Sequence, residues 1–395
     1  MLTEKRQQEV IQLCQKLVQI KSYSGEEGKV AAELKSFFKS HGFDDVFVDD
    51  YGNCIGHISG KYPGPIVLFD GHMDTVPITE EQTWTYPPLG GEIHDGKIYG
   101  RGTSDMKGAL AAMCCAVANF AQDTKKIFAG DIYVAGVVHE ECFEGVASRS
   151  ISKLVRPDYV VIGEASGLNI KISQRGRAEI KLEVFGKPAH SANPEKGINA
   201  VYKMCKLIEE IRKLKVTHHD VLGDGIMELT DIKSSPYPGA SVVPEYCLAT
   251  YDRRLLTGET KESVLKPLQD LLAKMSSADP ELKAKVSFAV GEEKCYTGNK
   301  IKGERFFPGW LYAKEADFIQ AAVISLRKMG YTPEITKYNF CTNGSHYAGE
   351  AGIKTIGLGP SRENLAHTKN EYIDLDQLLK VTDCYYGVMQ AWTIE

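Results

Sequence analysis

The 395-residue chain sets 47 Lys and Arg against 52 Asp and Glu, a formal net charge of −5 at pH 7, with 43% hydrophobic and 25% charged residues. That globular balance excludes long disorder, collagen and coiled coil, and the acidic excess argues against a nucleic-acid binder and against docking on an anionic membrane. A chain of this length fits two or three domains and needs no disulfide or metal staple to fold.

The opening MLTEKRQQEV is charged and has no apolar core of the secretory kind. Apolar residues at helical spacing predict a helix over 4–20 (Val10, Ile11, Leu13, Cys14, Leu17, Val18) and another over 26–41 (Val30, Leu34, Phe37, Phe38). Strands follow at 45–49, 54–58 and 66–70, and the last, IVLFD, opens with the continuous apolar run of a strand buried on both faces. A turn-rich stretch at 76–104 precedes a helix at 107–120, a strand at 132–139, a helix at 145–154 and a strand at 159–162. The apolar stretch 109–121 contains Asn119 and is too short for a membrane span. This alternation predicts an α/β fold with a central mixed, mostly parallel sheet flanked by helices.

Near Arg175 the pattern changes. Residues 178–185 (AEIKLEVF) alternate like a half-exposed antiparallel strand. A helix at 197–214, strands at 225–233 and 242–252, a helix at 260–276 and a strand at 284–290 complete a β-α-β-β-α-β pattern, an inserted α+β, ferredoxin-like domain. The predicted division is therefore 1–176 and 296–395 for a catalytic domain and 177–295 for an insert. Helices at 313–329 and 376–392 and a strand at 353–357 finish the chain. Ten Cys form no CxxC pair and lie scattered, several in apolar segments, the usage of reduced thiols in a cytoplasmic protein.

The chemistry-bearing residues cluster after the core strands, where ligands bind in open α/β sheets. IVLFD is followed by GHMDTVP (His72, Asp74), the turn-rich stretch ends in GRGTSDMKGA (Asp105), and IYVAGVV is followed by HEECFEGV (Glu140, Glu141). YVVI is followed by GEAS (Glu164), and AHTKNEYI supplies His367. Singly each is weak, since an Asp before a helix is usually a cap. In order along one α/β pattern they point to two imidazoles and several carboxylates on one rim.

With GKPAHSANP, SVVP followed by DRR, and GPSRENLAHTKNE, these motifs resemble, over nearly the whole chain, the di-zinc metallohydrolases that include aminoacylase, carboxypeptidase G, acetylornithine deacetylase and succinyl-diaminopimelate desuccinylase. The stretch TKYNFCTNGSHYAG is similar to a subgroup labelled selenium-metabolism-linked hydrolases. The resemblance implies two zinc ions per chain, with cobalt or manganese also suited to the ligands. His72 and Glu164 would hold one ion, Glu141 and His367 the other, and Asp105 would bridge them, so that ions about 3.5–4 Å apart share a hydroxide and polarise a carbonyl. It further implies Glu140 as general base, Asp74 as acceptor of the other His72 ring N–H, and a cis peptide between Asp105 and Met106. His190 would steady the oxyanion from a partner's insert, making the protein a homodimer whose inserted domain is a lid and dimerisation element. Arg254, with Arg253 as competitor, would bind a substrate carboxylate. Ser241, Asn343, His346 and the backbone of the Gly357–Ser361 run at Gly359 would be further substrate contacts. Ser241 stands where relatives often have Asn, which bears on one oxyanion or substrate contact; no acid follows Thr342, Asn343 and Gly344, which implies altered recognition of the substrate's far end.

The expected activity is hydrolysis of an amide in a small carboxylated substrate, a dipeptide or N-acyl amino acid, with an N-carbamoyl amino acid as alternative. Two other classes compete. A nucleotide-dependent oxidoreductase needs a third glycine where Asp105 stands. A non-catalytic zinc-binding protein would be favoured by a missing ligand or base, yet every position is filled.

Overall fold

The computed structural model describes residues 2–394. The chain divides into two compact units: one holds the chain through Gln174, Glu292–Lys302 and everything from Leu311 on, the other Arg175–Gly291 and Gly303–Trp310.

In the first unit a mixed sheet runs in the spatial order Asp45–Val48, Cys54–Ser59, Ala129–Val137, Tyr62–His72, Tyr159–Ile162, Lys354–Gly357, Ile170–Gln174. The four middle strands are mutually parallel, and the flanking strands Cys54–Ser59 and Ile170–Gln174 pair antiparallel with them. Val67, Leu68 and Phe69 are fully buried, as are Val160 and Val161, which explains their unbroken apolar runs. The helix Gly108–Thr124 is buried from Gly108 through Ala121 and so lacks a polar stripe; the last helix, Leu375–Thr393, packs on it.

Register places the site. Asp70 pairs with Ala135 on one side and Ile162 on the other, and His72 pairs with Val137. The three strands end within two residues of one another. Asp74, Glu140 with Glu141, and Glu164 lie just beyond these strand ends, and therefore emerge on one rim with His72.

Two strands are silent in the hydrophobic pattern. Ile170–Gln174 and Ile335–Tyr338 pair in parallel, but IKISQ and ITKY interleave polar residues. Lys171 and Gln174 are buried because their ends find partners: Lys171 Nζ donates to the Lys337 carbonyl and Glu363, and Gln174 bonds Thr342 and Ser345. The turn-rich stretch also hides Glu92–His94 and Lys97–Tyr99, which join Tyr372–Asp374 in a small sheet; three-residue strands are too short to show a period of two.

The second unit is an antiparallel sheet ordered Ile226–Ser235, Tyr246–Leu255, Gly176–Phe185, Lys283–Phe288, backed by helices Ala200–Ile211 and Lys261–Ala278. Ala178, Ile180, Leu182 and Val184 face inward, in one core with Met204, Leu207 and Leu268. The hairpin residues Phe306 and Phe307 pair with Ala178 and Arg177, so this unit reclaims Gly303–Trp310 while Glu292–Lys302 stays with the first. Among the described residues no helix is long and apolar enough to cross a membrane, and all ten Cys are free thiols.

Candidate metal centre

His72 ends its strand with its side chain 1% exposed; its Nε2 lies 2.8 Å from Asp105 Oδ1 and 3.5 Å from Glu164 Oε1. The other oxygen of Asp105, Oδ2, is 3.1 Å from His367 Nε2, which is 3.0 Å from Glu141 Oε2. One carboxylate thus faces two imidazoles, each with a further acid beside it. Glu140 Oε2 stands 4.0 Å from His72 Nε2. The groups His72–Glu140–Glu164 and His72–Asp105–Glu141 each present ligand atoms within 4.8 Å of one another.

The electrostatics fit a cation. Burial pushes the Glu140 carboxyl well above the usual range, and Glu164, Glu141 and Glu144 push it further against the pull of His72. Burial, then Asp105, raises Glu141 to about 7, and the same two causes raise Glu164. Hydrogen bonds to Asp105 and Glu141 lift His367 to about 10. Burial opposes a charge on His72, but Asp105 and Glu164 override it and raise its pKa. Acids this close repel one another unless positive charge sits among them. Glu141 Oε1 is buried and without a hydrogen-bond partner, an oxygen in need of a donor or a metal. Imidazole nitrogen with carboxylate oxygen is a donor set suited to zinc, manganese or cobalt.

Several side chains hold the rim in place. Asp74 accepts the backbone N–H of Glu140 at 3.1 Å and of Glu141 at 3.2 Å, and the Ser24 hydroxyl at 2.7 Å. Glu27, fully buried, accepts the His139 N–H. Lys107 Nζ, also fully buried, donates to the carbonyls of Leu17 and Ile20 at the end of the first helix; burial drops its pKa to about 7. Gly102 (φ +91°) lets the chain pass where a Cβ would meet Thr75 at 2.9 Å. The Asp105–Met106 peptide is cis. Glu27, Lys107 and Glu371 escape sequence reasoning because each acts through backbone groups, and Ser24 because its partner Asp74 lies far away in sequence. The visible signal for Glu371 is an acid four residues after His367.

Asp74 receives the His72 ring through its backbone, and three expected substrate contacts have their groups engaged elsewhere. His72 Nδ1 donates to the backbone carbonyl of Asp74 at 2.8 Å, with the carboxylate at 3.6 Å, because the carboxylate is occupied by the Glu140 and Glu141 amides. Asn343 is 2% exposed and uses its amide internally, donating to Asp70 Oδ1 and accepting the Gly145 N–H. Both ring nitrogens of His346 are engaged, by Ser152 and Glu350. The Gly359 N–H donates to Ser166 Oγ, while those of Leu358 and Ser361 go to Ile162 and Gln377, so these three are engaged within the fold.

In the second unit His190 is exposed and forms a bridge with Val242, beside Ser241. The Ala192 N–H donates to His190 Nδ1, which puts the proton of the neutral ring on Nε2. Arg253 is buried and committed to Glu259 and the Ile226 carbonyl, whereas the Arg254 side chain is 33% exposed with Nε 2.8 Å from Asp252.

Comparison with known proteins decides the family. The profile described as Peptidase family M20/M25/M40 matches residues 68–391. The chain belongs to this family. M20 proteins are metal-dependent hydrolases, and this M20 chain carries the residues for that chemistry on one rim. It is 32% identical over 385 residues to the uncharacterized protein YgeY of Escherichia coli (strain K12), covering 95% of this chain and 92% of that protein. It is 26% identical over 397 residues to succinyl-diaminopimelate desuccinylase 2 of Ruegeria sp. (strain TM1040), covering 97% and 94%. Its fold matches aminopeptidase PepT from Bacillus cereus ATCC 10987 with a TM-score of 0.74 at 21% identity, over 98% of both chains.

Proposed function

We propose that this M20 protein hydrolyses an amide bond in a small carboxylated substrate, a dipeptide or N-acyl amino acid. The observation that carries this reading is the two-faced Asp105: Oδ1 toward His72 at 2.8 Å and Oδ2 toward His367 at 3.1 Å. In this reading His72 and Glu164 would hold one divalent ion and Glu141 and His367 a second, with Asp105 as the ligand common to both; zinc suits the donors, with cobalt or manganese as substitutes. Such a pair, when bound, polarises a carbonyl and acidifies water.

The chain's residues supply the rest. Glu140, 4.0 Å from His72 Nε2, would act beside the ions as the base. It takes a proton from the attacking water and delivers it to the leaving amine nitrogen. Burial among acids favours its protonated form, which a bound cation would offset. Arg254 offers a planar guanidinium to the substrate carboxylate. The oxyanion donor is the partner subunit's His190, in a homodimer formed through the second unit. Ser241, beside His190, borders the same contact.

Two measurements test the reading. Elemental analysis should find two metal equivalents per chain. A panel of dipeptides, N-acyl and N-carbamoyl amino acids, with zinc, cobalt or manganese, should give turnover on at least one acyl class. A protein with two bound ions and no turnover on any member sinks the amidase; turnover confined to N-carbamoyl compounds changes the acyl group but keeps the chemistry.

A further inference from the structure

Glu371 lies four residues beyond His367 and is fully buried. Its Oε1 accepts three backbone N–H groups: Gly102 at 3.0 Å, Ser104 at 2.8 Å and Asp105 at 3.1 Å. Its Oε2 accepts Arg101 Nη1 at 2.5 Å, and its own carbonyl accepts the Gly100 N–H at 2.8 Å. The adjoining residue repeats the tie, since Ser104 Oγ donates to the Tyr372 carbonyl. A carboxylate kept only to neutralise a buried arginine would need Arg101 alone. Here three amides of one loop converge on a single oxygen, and the last belongs to the residue whose carboxylate faces both imidazoles.

We propose that Glu371 is the positioning residue of the shared carboxylate. It fastens the loop 100–105 to the segment that carries His367, so that Asp105 keeps one oxygen toward His72 and the other toward His367. Charge-assisted bonds from amides to a carboxylate are short and strong, and outer partners of this kind orient the groups that touch a metal. The inference rests on the two-ion reading above.

The test uses the full chain and its Glu371→Gln and Glu371→Asp variants. Three quantities are read: zinc affinity by titration of the metal-free protein, kcat and KM on the substrate found in the panel, and Tm. Trp392→Phe, which loses the buried bond from its Nε1 to the Phe318 carbonyl and has no part in the rim, is the control for loss of stability alone. The expected result is that the weaker zinc equivalent loses about 10–100-fold in affinity. The turnover number falls by a similar factor, with KM within about threefold. Glu371→Asp, which keeps the charge but shortens the reach, should show the same split and decides the matter if the Gln variant does not fold. Zinc affinities and kcat within twofold of the parent, whatever happens to Tm, overturn the proposal while leaving the site reading intact. A parent chain that binds no zinc overturns both.

Discussion

The rim of the parallel sheet and the segment from Cys341 to Tyr347 are both largely buried and both polar, but they settle their charges in opposite ways. Around Asp70 every group has a neutral or opposite partner: Asn343 on one oxygen, Tyr347 on the other at 2.8 Å, and Gly145 on the far side of Asn343. His346 and Arg149 together saturate Glu350. At the rim, Asp105, Glu140, Glu141 and Glu164 crowd two imidazoles, and Glu141 keeps a buried oxygen without a partner. Closed networks rigidify a core. An open one, rich in acids, asks for a cation. The contrast separates machinery from scaffold within one unit of the molecule.

The contrast can be broken most forcefully at Glu140. Glu140→Ala should leave metal content near two equivalents while turnover falls by about 10²–10⁴-fold; unchanged turnover would move the base elsewhere. Next comes His72→Ala, for which elemental analysis should show loss of at least one equivalent, whereas Asn343→Ala should lose none. In Asn343→Ala the partners Asp70 and Gly145 are left buried and unsatisfied, a cost of about 1–3 kcal/mol in denaturant unfolding, with KM within about twofold. A tenfold rise in KM would return Asn343 to the substrate site. The smallest effect concerns acid stability. Burial alone would raise the Glu350 carboxyl, but hydrogen bonds from His346 and Arg149 outweigh it and hold it at about 2, against an ordinary 4.5. A depressed native value gives stability that is full above pH 4.5 and is lost as pH falls toward 2. Glu350→Gln should therefore flatten the unfolding free energy across that window; an unchanged slope would mean the network carries no such charge.

The same contrast explains what can be read from the sequence. His72, Glu140, Glu141 and Glu164 come after runs of apolar residues, so their places on a common rim are legible from strand patterning together with the motifs. Asp105 and His367 sit on loops, and their meeting depends on a tie through Glu371 that no periodicity reveals. Asn343, His346 and Gly359 have the residue types of contact groups, but their partners (Asp70, Ser152, Ser166) lie far away in sequence, and only the folded chain shows each one already engaged. Asp74 is recognisable as important, yet its carboxylate turns to the Glu140 and Glu141 amides and leaves its carbonyl to the ring. The strand Ile170–Gln174 is hidden for a related reason: polar residues enter the core when tertiary partners offset their desolvation.

The candidate ligands come from five separated stretches, at residues 72, 105, 141, 164 and 367, four before and one after the second unit in the sequence. Ions gripped by all five would act as a clasp between the two parts of the first unit that the second unit separates in sequence. Occupancy at a hundred times the dissociation constant adds about 2.7 kcal/mol to folding by mass action. Chelation should thus loosen the whole unit, and protease sensitivity, more than activity, would report how firmly the clasp is shut.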